Sequence, residues 1–240
     1  MRRLFLALLL VFGFSVAKDV PSIIEEIVKY DESFVKQHSK NYFEAFKNKQ
    51  KPYITLVSCS DARVHMNVIE KDPINKIFAI RNIGNQLLTS FGSVDYGVLH
   101  LHTPVLLILG HSHCGAVKAA LGNYEEEPFD IIRELDHLFI PLSGLKNKKM
   151  NFEEKWIKGV QANVDYQVEL ALKKYKHLVD KGKLTVVGAI DDFVGLYGSG
   201  EGRIIIVNVN GETNPEKLKK LPIFNKLPQK EKNLIIKRIN

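Results

Sequence analysis

Only two cysteines, Cys59 and Cys114, stand among the 240 residues. Two cysteines cannot build a disulfide framework, and no CxxC pair is present to act as a dithiol redox motif. A single disulfide is the default expectation for an exported chain, so any other role for the pair must come from its neighbours. Long apolar runs are equally scarce. Past the first twenty residues no stretch is apolar for long enough to cross a bilayer. There is no internal repeat and no low-complexity segment, which excludes solenoid and array architectures. The net charge is +7, yet no basic run is interleaved with aromatics as a groove for single-stranded nucleic acid requires. The excess base lies in Lys146, Lys148 and Lys149, in 173–183 and in 217–238, and reads as solvated surface rather than as a nucleic-acid interface.

The one apolar run that does exist is N-terminal. Arg2 and Arg3 precede an apolar stretch over 4–16, and Ser15-Val16-Ala17 supplies small residues for cleavage. This is the layout of a secretory signal peptide cut after Ala17, and the run is short for a span. The expectation is an exported protein, periplasmic or secreted, with no stable membrane insertion after cleavage. No cysteine lies near the cut to carry a lipid. Loss of 1–17 removes two arginines and no acids and lowers the net charge from +7 to +5.

What remains reads as an α/β chain. Short apolar, β-branched runs occupy 53–58, 76–80, 104–109, 184–190 and 203–209. Between them, helical periodicity marks 93–101, 115–121, 129–139 and a long segment over 152–180. Nearly continuous apolar strands alternating with helices predict a mainly parallel β-sheet flanked by helices. Ahead of it, Ile23, Ile24, Ile27, Val28 and Phe34 recur at rough helical spacing and predict one helix over 22–46, an N-terminal helical arm. The organisation expected is a signal peptide at 1–17, the arm at 18–49, a catalytic α/β domain at 50–211, and a basic C-terminal tail at 212–240 ending in a weak helix.

In open α/β sheets, ligands gather beyond the carboxyl ends of the strands. Cys59 follows the first predicted strand and His111 follows the third, so both reach the same edge if the strands are parallel. Their neighbours form two clusters, Cys59-Ser60-Asp61-Ala62-Arg63 and Gly110-His111-Ser112-His113-Cys114-Gly115. Zinc takes thiolate and imidazole readily, and three protein ligands with one open position is its catalytic arrangement. Cys59, His111 and Cys114 would make a Cys₂His set, with Gly110 and Gly115 expected where the backbone turns tightly near the ion. A fork-like pairing of Arg63 with Asp61 would hold the carboxylate off the metal. Its free oxygen could then accept a hydrogen bond from zinc-bound water or hydroxide and aim it. Taken singly, CxDxR and HxxC carry little weight; together they favour a catalytic metal over a disulfide. A zinc-buffering protein and a thiol redox protein stay open as alternatives.

The two clusters resemble the signatures of the β-class carbonic anhydrases, CxDxR after one strand and HxxC after another. The likeness extends over about 46–122, through Arg81-Asn82-Ile83-Gly84-Asn85 and Gly92-Ser93-Val94-Asp95-Tyr96. The resemblance implies a zinc lyase that reversibly hydrates carbon dioxide to bicarbonate and a proton, with zinc-bound hydroxide as nucleophile. It implies Zn²⁺ on Cys59, His111 and Cys114, an Asp61–Arg63 catalytic dyad, and substrate-binding roles for Gln50 and Tyr96, with Phe78 or Ile83 lining an apolar pocket. Leu56 stands where one branch of the family carries a tryptophan tied to an inhibitory bicarbonate site, which implies the branch without it. The family also implies a homodimer or homotetramer whose pocket lies partly at the subunit interface, the arm wrapping a partner. Some relatives hydrolyse carbon disulfide instead, a choice set by pocket access rather than by the ligands.

Overall fold

The apolar runs pair edge to edge into one five-stranded sheet: β1 (Ile54–Cys59), β2 (Ile77–Asn82), β3 (Val105–His111), β4 (Thr185–Asp192) and β5 (Arg203–Val209). Residues 18–239 are described by this computed structural model; the signal-peptide reading of 1–17 lies outside them. Strand order is β2-β1-β3-β4-β5. The first four strands are parallel, and β5 runs antiparallel to β4. The sheet is therefore mainly parallel, as expected, with one reversed edge. The reversal follows from the connection over 193–202, which is shorter than the crossover a parallel neighbour requires.

Nine α-helices accompany the sheet among the described residues: α1 (Val20–Gln37), α2 (Lys40–Glu44), α3 (Phe91–Asp95), α4 (Gly115–Leu121), α5 (Phe129–Asp136), α6 (Phe139–Lys146), α7 (Phe152–Asp180), α8 (Pro215–Leu218) and α9 (Gln229–Ile235). The main core joins α7, through Val160, Val164, Val168 and Ala171, to Leu106, Ile108, Val186 and Ile190 of the strands. Each fully buried Val, Leu or Ile among them contributes about 1.5–3 kcal/mol. Close approach of α7 depends on two glycines. A Cβ on Gly110 would lie 2.7 Å from Val164, and one on Gly188 would lie 2.8 Å from the same residue. A second cluster, Leu56, Val64, Leu107, Leu109 and Ala189, gathers Met66, Ile69, Phe193 and Ile204 against it.

Three details depart from the sequence expectations. Cys59 and His111 are the last residues of their strands rather than the first beyond them, because pairing persists to Cys59↔Asn82 and His111↔Asp191. The helix expected over 93–101 becomes α3 followed by a wider π-helical turn over Tyr96–His100, closed by Leu101 N–H on the Tyr96 carbonyl at 2.9 Å. The helix expected over 22–46 breaks between α1 and α2. There His38 is extended, and its Nδ1 donates to the Phe34 carbonyl at 2.7 Å, ending the α1 ladder.

Residues up to Gln50 and those from Lys51 onward form two compact units. In the first, α1 is capped by Asp19, which accepts from Ser22 N–H at 3.0 Å, and no α1 residue is buried. In the second, the stretch from 212 packs onto β5. Leu218, Phe224 and Ile236 share a core with Val209, and Arg238 forks onto Asp165 at 3.0 and 2.6 Å.

Candidate metal centre

Parallel β1 and β3 are adjacent, so both deliver their last residues to one edge of the sheet. Cys59 closes β1, His111 closes β3, and Cys114 caps α4 after a three-residue step. All three are buried. Their Sγ and ring nitrogen atoms lie within 4.8 Å of one another. Both cysteines are free thiols, so the disulfide alternative does not describe this arrangement.

The chain from His111 to Cys114 turns at His113, whose φ of +53° puts a non-glycine residue in the left-handed region. This corrects the expectation for the flanking glycines. Gly110 is needed for the approach of Val164, whereas a Cβ on Gly115 would meet nothing within 4 Å. The turn is held from outside. Trp156 Nε1 of α7 donates to the Cys114 carbonyl at 2.7 Å, and its ring stacks on His113 at 4.6 Å. Glu153 faces His113 Nε2 at 2.7 Å, and Ser112 N–H donates to the Asp191 carbonyl at 3.0 Å.

His111 Nδ1 lies 2.9 Å from the Ser112 carbonyl and, facing an acceptor, must carry the proton. Nε2 is then the lone-pair nitrogen. It is buried and makes no hydrogen bond. The two thiols behave as a pair. A hydrogen bond from the Cys114 thiol holds Cys59 well below the ordinary thiol value against the opposing effect of burial. The same bond, with burial and the Cys59 charge, pushes Cys114 up. Cys59 is thus the readier of the two to carry charge. A partnerless imidazole nitrogen and two sulfurs sharing a proton fit a soft divalent metal at this point.

Asp61 and Arg63 lie on the turn after β1. Arg63 Nε and Nη2 donate to the two carboxylate oxygens of Asp61 at 2.9 and 2.6 Å, and the Arg63 backbone N–H donates to Oδ1 at 3.0 Å. These hydrogen bonds hold the Asp61 carboxyl well below the usual carboxylate range, against partial burial. Asp61 Oδ2 stands 3.8 Å from His111 Nε2. Arg63 also donates to the His113 carbonyl at 3.2 Å, which ties the two turns together.

The structure thus brings Cys59, Asp61, Arg63, His111 and Cys114 to one place. Tyr96 lies over β2, stacked on Phe78 at 5.6 Å and beside His100 at 4.5 Å. Gln50 ends the N-terminal unit and is exposed. Sequence reasoning missed several residues at the metal edge. Arg81 on β2 donates to the Cys59 and Asp61 carbonyls at 3.2 and 2.8 Å. Asp191, the register partner of His111, is buried and its carboxyl is pushed up by that burial, with His111 opposing. Phe193 stacks on the His111 ring at 5.7 Å and lies 4.7 Å under the Arg63 guanidinium. The strand-end rule that found His111 also points at Asp191 and Phe193, since β4 is parallel to β3.

The profile of the family described as carbonic anhydrase matches residues 54–195. A carbonic anhydrase of Synechococcus elongatus is 34% identical over 107 residues, which is 41% of this chain and 39% of that relative. The matched stretch thus spans well under half of the relative's length. Among solved structures, the β-carbonic anhydrase CcaA superposes with a TM-score of 0.69 at 23% identity, over 78% of this chain and 87% of that one. The tetrameric β-carbonic anhydrases of Sordaria macrospora superpose with a TM-score of 0.65 at 21% identity, over 78% of this chain and 96% of theirs.

Proposed function

Because the chain belongs to the β-class carbonic anhydrases, we propose that it reversibly hydrates carbon dioxide to bicarbonate and a proton, using Zn²⁺ held by Cys59, His111 and Cys114. One observation carries the reading: the three buried donors converge within 4.8 Å while an Arg63-bound carboxylate stands 3.8 Å from the imidazole nitrogen. Zinc, when bound, lowers the pKa of a water molecule from about 15.7 to near 7 and so supplies a nucleophile at neutral pH. The chain's own residues do the rest. The Nδ1 hydrogen bond to Ser112 keeps His111 in the tautomer that offers Nε2. Arg63 engages both oxygens of Asp61, which keeps the carboxylate charged and fixed beside the donors. Oδ1 already accepts both the Arg63 backbone N–H and Nε, whereas Oδ2 accepts only Nη2, so Oδ2 is the oxygen with which Asp61 would accept a hydrogen bond from a water at the centre and fix its direction.

The reading extends to assembly and location. Ile23, Ile24, Ile27, Val28 and Val35 of α1 are exposed, an apolar stripe that a helix does not leave to water by choice. Together with the tetrameric neighbours, this supports a homo-oligomer. No helix among the described residues is long and apolar enough to cross a membrane. Export to the periplasm, with cleavage after Ala17, rests on the pattern of residues 1–17. Mass analysis of exported protein is expected to find a mature chain beginning at Lys18. The activity is tested by zinc analysis joined to stopped-flow carbon dioxide hydration on wild type and Asp61→Ala. Zinc without hydration in the wild type would overturn the enzyme while sparing the metal site.

A further inference from the structure

Phe193 is the first residue beyond β4. Its ring touches two members of the centre that arrive on different strands: it stacks on His111, with centroids 5.7 Å apart and planes 28° off parallel, and it lies 4.7 Å from the Arg63 guanidinium carbon. The ring is anchored independently of both, packed with Leu56, Leu107, Leu109 and Ala189 on the sheet.

The need for such an anchor follows from exposure. The Arg63 side chain is 52% exposed, and its partner Asp61 is 19% exposed. An exposed ion pair on a long side chain holds its geometry weakly, since water screens the charges and the rotamers disperse. An aromatic face beneath the guanidinium restricts those rotamers and attracts the cation. The same ring limits rotation of the imidazole, whose Nε2 has no hydrogen bond of its own to orient it.

We propose that Phe193 is a positioning residue, locking the Arg63–Asp61 fork and the His111 ring in a fixed mutual orientation. It acts through those two side chains. The proposal rests on the functional reading above, and its test includes a measurement that does not depend on turnover.

The experiment compares Phe193→Leu, which keeps apolar bulk and removes the π face, with Phe193→Tyr, which keeps the ring. Each is measured for kcat and KM in carbon dioxide hydration. Each apoprotein is also titrated with Co²⁺, whose visible bands report ligand geometry. Phe193→Leu is expected to lower kcat about two- to tenfold with KM little changed, the size of one or two aromatic contacts. Its cobalt spectrum is expected to shift or broaden, while Phe193→Tyr stays close to wild type in both. Phe193→Met carries the same test should the leucine variant not fold. A folded leucine or methionine variant with wild-type kcat and spectrum would overturn the proposal, as would a tyrosine variant as impaired as either. If wild-type protein binds metal and hydrates nothing, the enzymatic reading falls, and the cobalt comparison still decides the role of Phe193.

Discussion

After β1 the chain makes its turn largely from its own short segment. Asp61 accepts from Arg63 through both backbone and side chain, and Val64 N–H donates to the Asp61 carbonyl at 3.0 Å. After β3 the turn is held from elsewhere. Trp156, 42 residues on, grips the Cys114 carbonyl, Glu153 faces His113, and β4 takes the Ser112 N–H. The first turn carries a charged and partly exposed pair, while the second carries two buried donors and a backbone in the left-handed region. The difference is one of burden. A carboxylate and a guanidinium can meet across two residues through local contacts, with one aromatic face, Phe193, to steady the exposed fork. A buried imidazole and thiol must be aimed at a point in space, which takes fixed backbone supported by tertiary contacts.

The comparison can be broken at four places. Cys114→Ser strikes the buried turn at its donor and is expected to cause the largest change. Bound zinc should fall from about one per chain to a trace by elemental analysis, with hydration lost alongside. Asp61→Ala strikes the other turn and should leave zinc in place while kcat falls roughly 10²- to 10⁴-fold, the range for loss of a positioned proton acceptor. Equal loss of zinc in the two variants would erase the distinction between a donor turn and an orienting turn. Trp156→Phe keeps an aromatic ring and deletes the indole N–H. The Cys114 carbonyl retains Lys118 N–H at 3.0 Å, so the expected cost is about 1 kcal/mol in denaturant unfolding rather than a collapse of the site. The smallest effect belongs to Glu153→Gln, at a partly exposed contact with His113, where a change below about 1 kcal/mol is expected. If Glu153→Gln proved as costly as Trp156→Phe, support of the second turn would be electrostatic rather than a matter of the indole hydrogen bond.

Much of the site was legible because its chemistry is local. Cys59, Asp61 and Arg63 lie within five residues, and His111 and Cys114 within four, each group ending a readable apolar strand. The strand pattern also implied that parallel neighbours bring both groups to one edge. The break between α1 and α2 was not legible, since the apolar spacing continues across it while the His38 ring cap is a contact and not a pattern. The role of Gly110 was misread for a similar reason. Its missing Cβ serves the approach of Val164 from a helix distant in sequence, not the turn beside it.

By itself, then, the sequence determined the three candidate metal donors, the charged fork beside them and the mainly parallel sheet, because each depends on spacings of a few residues or on strand periodicity. Only the tertiary structure decided that Phe193 lies against both His111 and Arg63, that Trp156 holds Cys114, and that Arg81 ties down the carbonyls of Cys59 and Asp61. Those contacts join residues distant along the chain. They exist because the β-sheet brings strand ends together and α7 packs closely over two glycines. No local pattern encodes which side chains will meet once that packing is complete.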